Sequence, residues 1–360
     1  MNLKEWGWDE SRAEAFAPHA EAGRVPGRVV RQDRGAFELQ LEEGARPAEA
    51  TGRLRRAMER GEAEMPAVGD WVAADPRPGS VRAGIEAVLP RRGGLSRQAA
   101  GRAVREQVLA ANVDVVMLVC ALDGERGFNL RRLERALAMV GGAGAEAVIV
   151  LNKADLCDDI AGSLREAGSV APEVPAVALS ALEGWGVEEL RPWLGGGRTG
   201  VLLGPSGVGK SALINALLGA AVQVTHPVRA GDARGRHTTT RRELFRIPGG
   251  GMLIDTAGLR EFQPWGAGSG LEAVFPEVAE LAEHCRFRDC RHESEPGCAV
   301  QQALGDGRLD LQRFEHYLRL KREQAYQAMR SRASADRVEK ERWKAIAKLQ
   351  KSYWNGKDGE

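Results

Sequence analysis

Residues Gly204-Pro205-Ser206-Gly207-Val208-Gly209-Lys210-Ser211 read G-x-x-x-x-G-K-S between an apolar run, Gly200 to Leu203, and a helical period, Ala212 to Leu218. A phosphate-binding loop requires that strand, loop and helix context, and it commits the surrounding chain to an α/β, mainly parallel sheet. Its glycines let backbone N–H groups wrap phosphates, with Ala212 completing the set at the helix start. Lys210 reaches the β and γ oxygens, and the Ser211 hydroxyl is placed to bind Mg²⁺.

Three more segments fit the same site. Asn152-Lys153-Ala154-Asp155 follows the apolar run Ala147 to Leu151. A carboxylate there accepts both the N1–H and the exocyclic amine of guanine, a donor pair that adenine lacks, so Asp155 selects GTP over ATP. Ser180-Ala181-Leu182, after Ala176 to Leu179, is expected to supply a backbone contact to the guanine oxygen. Asp255-Thr256-Ala257-Gly258 ends the strand Met252 to Ile254. Asp255 can hold Mg²⁺ through water, and the Gly258 amide can meet the γ-phosphate. Between loop and D-x-x-G lies Arg236-His237-Thr238-Thr239-Thr240, where Thr239 is the candidate Mg²⁺ ligand among three threonines.

The order is permuted, since Asn152 and Ser180 precede Gly204. All these motifs hang from strand C-termini, so a chain cut in one loop and rejoined at its old ends keeps the pocket.

The rest of the chain reads in blocks. Short runs at Gly27 to Val30, Phe37 to Leu41, Asp70 to Ala74 and Ile85 to Leu89 predict a small β-barrel. The apolar runs and helical periods from Val113 to Ile254 predict the sheet, with Arg241 to Ile247 as an edge strand. Leu309 to about Met329 predicts helix, and Ser331 to Glu360 is a basic tail. Trp6, Trp8 and Trp71 read as buried packing residues.

Cys285, Cys290, His292 and Cys298 form C-x₄-C-x-H-x₅-C, a Cys₃His set that satisfies one structural Zn²⁺ with no open position. Cys120 and Cys157 stand apart, which argues against a disulfide framework. Met1 to Arg24 holds no continuous apolar stretch, so a cytoplasmic protein with no membrane partner is expected. With 51 Lys and Arg against 50 Asp and Glu, affinity for nucleic acid must come from local patches.

The permuted order, Ala111-Asn112-Val113-Asp114, Gly204 to Ser211, Arg236 to Thr240, Arg260-Glu261-Phe262 and Cys285 to Cys298 together resemble the ribosome small-subunit-dependent GTPase A family. The resemblance covers nearly the whole chain. It implies an N-terminal OB-fold β-barrel, a central circularly permuted P-loop GTPase domain and a C-terminal α-helical zinc-binding domain. The expected boundaries are 1–95 for the N-terminal extension and OB-fold, 96–111 for a linker, 112–270 for the GTPase, 271–330 for the zinc domain and 331–360 for the tail. It also implies GTP and GDP as ligands, with the 30S ribosomal subunit and its 16S rRNA as partners of a monomer. Asp255-Thr256-Ala257-Gly258 stands where the family often shows D-S-P-G, a departure that keeps the Asp and the Gly.

Two function classes share every motif: a GTP hydrolase acting in late 30S maturation, and a GTP-gated RNA-binding scaffold with incidental turnover. An ATP-dependent kinase predicts neither Asn152 to Asp155 nor Ser180. Many GTPases orient the attacking water with a glutamine directly after D-x-x-G, but this chain has Leu259, which cannot hydrogen-bond. His237 is the nearest polar candidate, and the matching histidine of the family is implicated in hydrolysis.

Overall fold

The computed structural model describes residues 2–33, 35–77, 79–98, 106–124, 128–141, 144–221, 242–255, 270–326 and 329. His237, Thr238, Thr239, Thr240 and Gly258, the Arg260 to Phe262 motif and the 331–360 tail lie outside them. The chain forms two compact units, Met1–Ser96 with Val108–Phe262, and Arg97–Gln107 with Gln263–Glu360.

In the first unit, five strands close a barrel: β1 (Val25–Asp33), β2 (Ala36–Leu41), β3 (Gly44–Ala50), β4 (Trp71–Asp75) and β5 (Ala83–Val88). They run β1-β2-β3-β5-β4, and β4 pairs back onto β1 to remove the free edges. Val29, Leu39, Ala48, Val72 and Ile85 are buried. β3 reads Gly-Ala-Arg-Pro-Ala-Glu-Ala, without a β-branched residue, so local pattern does not announce it. It forms because β2 and β5 supply ladder partners on both sides.

Next, β6 (Gly94–Gln98) and β7 (Glu106–Ala111) pair as a separate ribbon that overlaps the 96–111 segment expected to be a linker. Then come β8 (Val115–Ala121), β9 (Glu146–Asn152), β10 (Ala176–Leu179), β11 (Thr199–Leu203), β12 (Arg242–Arg246) and β13 (Met252–Asp255). Their spatial order is β10-β9-β8-β11-β13-β12, and all but β12 are parallel. The phosphate-loop strand β11 is therefore central although it comes late in the chain. Helix Lys210–Leu218 buries Leu213, Ile214 and Leu217 in the cluster that holds Met117, Val150, Leu179 and Leu202.

One expectation is corrected. The stretch Arg241 to Ile247 does not end the sheet, because β12 lies between β13 and β1 of the barrel, giving one sheet of 11 strands. β1 has nine residues, and a register shift between Val29 and Arg31 splits it. Its first half pairs with β4, while Arg31 and Gln32 pair with Glu243 and Arg242. Such a bulge bends a strand, which lets β1 serve barrel and GTPase sheet together.

Arg28 locks that seam. It is 1% exposed, and its guanidinium donates to Trp6 O, to Thr199 Oγ1 at 2.8 Å and to Met252 Sδ at 3.0 Å, while lying 5.5 Å from the Trp71 ring centroid. Burial depresses its pKa, opposed by Asp114 and Asp70. Thr199 and Met252 start the strands β11 and β13, so a barrel residue fixes the N-terminal ends of both. We expect Arg28→Ala to cost about 3 kcal/mol through lost hydrogen bonds and a cavity. A thermal melt should show the first unit's Tm lowered by about 6–12 °C. An unchanged Tm would remove Arg28 from the seam.

The start of the GTPase sheet is tied in similarly. Asn112, at φ 53°, donates to Gly69 O at 3.1 Å and accepts from Arg92 N at 3.2 Å, and Asp114 Oδ2 accepts from Thr199 N at 2.7 Å. In the second unit, helices Gly270–Val274, Pro276–Glu283 and Ala299–Gly305 precede a helix at residues 311–326. Phe275, Val278, Val300 and Phe314 are buried there. Among the described residues, no helix is long and apolar enough to cross a membrane.

Candidate active site and metal centre

The loop from Gly204 to Gly209 leaves β11 and enters the helix that starts at Lys210. Pro205 and Ser206 are exposed, Val208 is buried, and Gly207 is left-handed at φ 88°. At Gly209 the reason for glycine is direct: φ is 96°, and a Cβ would lie 2.2 Å from Asn152 Nδ2. Asn152 needs that room. It is 2% exposed, its Nδ2 donates to Val208 O at 2.7 Å, and its Oδ1 accepts from Ala181 N at 2.9 Å. One side chain therefore joins the phosphate loop, the N-K-A-D segment and the Ser180-Ala181 turn.

Lys153 follows in a left-handed conformation at φ 64°, and its Nζ pairs with Asp123 Oδ2 at 2.6 Å. Asp123 lies just beyond β8 and belongs to no motif that spacing reveals, so it was missed. Ala154 is buried and Asp155 exposed on the short turn Ala154–Leu156. Ser180 is buried, donates its N–H to Trp185 O at 2.9 Å and accepts from Glu183 N on Oγ at 3.2 Å. Within the Ser180-Ala181-Leu182 segment, the Ala181 amide donates to Asn152 Oδ1.

Lys210 Nζ donates to Gly204 O and to Pro205 O, each at 2.7 Å. Desolvation lowers its pKa to about 8, opposed by the charge of Asp255. Asp255, at the end of β13, has its pKa raised by desolvation and by Glu243 and lowered by Lys210. β13 lies directly beside β11, so the hydroxyl of Ser211 and the carboxylate of Asp255 sit beyond neighbouring strand ends. A hydroxyl and a carboxylate there are hard oxygen donors suited to Mg²⁺. Ala212 occupies the first turn of the helix.

In the second unit, Cys285, Cys290, His292 and Cys298 bring their ligand atoms within 4.8 Å of one another. Cys285 Sγ lies 3.8 Å from Cys298 Sγ, and both sulfurs lie 3.6 Å from His292 Nδ1. A tetrahedral ion with bonds of about 2.3 Å to sulfur and about 2.0 Å to nitrogen requires about 3.8 Å and about 3.5 Å for these spacings. The cluster could therefore hold a metal. Its loop is built around Glu295, whose carboxylate accepts from Arg291 N and Glu293 N at 2.9 Å and Ser294 N at 3.1 Å. Those backbone donors pull the Glu295 pKa down to about 2. Gln301 Nε2 donates to His292 O at 2.6 Å, holding the left-handed His292 (φ 63°).

Comparison with known proteins places the chain. Residues 88–265 match the family model described as RsgA GTPase. The small ribosomal subunit biogenesis GTPase RsgA of Opitutus terrae is 48% identical over 361 residues, covering 98% of each chain. The chain belongs to the RsgA GTPase family. Membership makes it a P-loop GTP hydrolase.

The crystal structure of YjeQ from Thermotoga maritima is similar with a TM-score of 0.59 at 27% identity, covering 84% of this chain and 99% of that one. YloQ, described as a circularly permuted GTPase, has a TM-score of 0.58 at 22% identity, covering 84% and 95%, and supports the fold alone. RsgA-family membership and the strand order agree on a permuted GTPase sheet joined to a five-stranded barrel.

Proposed function

We propose that this GTPase binds the small ribosomal subunit through its 16S rRNA and assists late maturation, hydrolysing GTP to GDP and phosphate as a cytoplasmic monomer. The similarity to a protein named for small-subunit biogenesis over 98% of both chains carries this reading. The proposed divisions are those read from the sequence, with 1–95, 112–270 and 271–330 as the three functional parts.

In the proposed site, backbone amides from Gly204 to Gly209 wrap the phosphates, Lys210 neutralises the β and γ oxygens, and Ala212 lies behind them. Ser211, Asp255 and Thr239 would hold Mg²⁺, whose charge offsets that developing on the transferred phosphate. Asn152 and Lys153 shape the base pocket with Ala154, Ser180 and Ala181, and Asp155 reads guanine. Gly258 meets the γ-phosphate and His237 positions the water, since Leu259 cannot. The Cys₃His set is read as one structural Zn²⁺ site, because four protein ligands leave no position for substrate.

GTP turnover measured with and without purified 30S subunits tests the role. The expected result is slow release of phosphate alone and faster release with subunits. An unchanged rate would leave a scaffold in which hydrolysis is incidental.

Guanine selection has its own test. In Asp155→Asn the amide donates to the 2-carbonyl of xanthine but cannot accept from both guanine donors, so preference should move to xanthosine triphosphate by about 10²-fold or more. Competition binding that still favours GTP in the folded variant would refute the assignment.

A further inference from the structure

Lys153 is held in an unfavourable conformation by a residue outside every motif. Its φ of 64° lies in the left-handed region, which is costly for a residue that carries a Cβ. The turn Ala154–Leu156 starts immediately after it, and no side chain caps that turn. Leu156 N donates to Lys153 O at 3.0 Å and Cys157 N to Ala154 O at 3.2 Å, so the segment from Lys153 turns as one piece. The direction of Asp155 therefore depends on how Lys153 is held.

The anchor comes from the neighbouring strand. β8 and β9 run parallel with Ala121 beside Asn152, and Leu122 N donates to Asn152 O at 2.8 Å, so the two chains leave their strands side by side. One residue further on, Asp123 Oδ2 meets Lys153 Nζ at 2.6 Å. The side chains of Asp123 and Lys153 are 12% and 23% exposed, so water screens this pair less than an open surface bridge. Asn152 is fixed separately, by Val208 O and Ala181 N. Lys153 is thus pinned twice, through the backbone of Asn152 and through its own ammonium.

A carboxylate that accepts two hydrogen bonds from one planar base must meet both donors at once, which makes recognition sensitive to direction. We propose that Asp123 is a positioning residue for guanine recognition: by holding the Lys153 ammonium it keeps Lys153 left-handed and aims the Asp155 carboxylate at the two donors of the base. The inference deepens the reading of Asn152 to Asp155 as the guanine site and rests on it.

Competition of GTP, GDP, ATP and inosine triphosphate against a fluorescent GDP analogue tests this. Inosine triphosphate keeps the N1–H and lacks the exocyclic amine, so the parent should prefer GTP over it by about tenfold or more, the lost hydrogen bond being charge-assisted. Asp123→Asn keeps the shape and removes the charge; it should reduce that preference by about threefold to tenfold. GTP and GDP should weaken by equal factors, because the base end and not the phosphate end is disturbed. A merely structural role would lower the fraction of active protein and leave the ratio of the two affinities where it was. Lys153→Met should lose the same preference, and adding Asp123→Asn to it should lose no more. Parent-like discrimination in Asp123→Asn would overturn the proposal. So would a further loss in the double variant, since Asp123 would then act through another neighbour. If Asp123→Asn does not fold, undiminished discrimination in Lys153→Met would overturn it. A parent protein that binds ATP as tightly as GTP would instead defeat the guanine-site reading on which the inference stands.

Discussion

Lys210→Ala should reduce GTP turnover to below about one hundredth of the parent rate, the scale set by removing one preorganised charge from a developing oxyanion. The loop geometry explains why this lysine is ready. Its ammonium is held 2.7 Å from Gly204 O and Pro205 O, at the mouth of the loop, so little rearrangement is needed when phosphates arrive. Desolvation lowers its pKa to about 8, and anionic phosphates must raise it again. Binding therefore takes up a proton above that pH. GTP affinity should be fully present below pH 8 and fall by up to about tenfold per unit above it, until the bound-state pKa is passed. Single-turnover phosphate release measures the first effect, and GTP titration from neutral to alkaline pH the second. A variant that hydrolyses at the parent rate would refute the assigned role, and a pH-independent affinity would show that the Lys210 pKa is not depressed before phosphate binds.

Removing the metal should have a comparable effect on the second unit. Cys285 and Cys290 are half-buried and the loop between them is exposed, whereas His292 and Cys298 are buried. Coordination energy is folding energy in such a module, about 10–16 kcal/mol for structural zinc at neutral pH. Protein purified without chelator should contain one Zn²⁺ per chain by elemental analysis. Chelation, or Cys285→Ser, should expose residues 285–298 to proteolysis first. The nucleotide-binding unit has its own core and should keep its affinity for GTP. Folded protein without zinc would refute the metal assignment.

The chemistry was legible where it depends on local backbone. Gly209 must be glycine because of its φ and the side chain above it, and such positions recur at fixed spacing from Lys210 and Ser211. Cysteines and a histidine at ligand spacing likewise announce a cluster, because few residues separate the partners. The base selectivity proposed for Asp155 is read from the same kind of short segment. The strands with apolar runs, β8, β9, β10, β11 and β13, were visible because buried parallel strands are continuously hydrophobic.

What spacing could not show is what distant segments do to one another. β3 lacks strand-forming residues and exists because β2 and β5 flank it. β12 was expected at the sheet edge because its charged, mixed pattern suits solvent on one side; that charge instead meets Arg31 of the barrel. Asp123, Arg28 and Glu243 acquire their roles from partners 30, 171 and 212 positions away in the chain. The sequence by itself determined the permuted phosphate and base motifs and the metal cluster, since each is a local backbone or spacing requirement. Only the tertiary structure decided that barrel and GTPase share one sheet, because a strand's second edge is satisfied by whichever distant strand folding brings beside it.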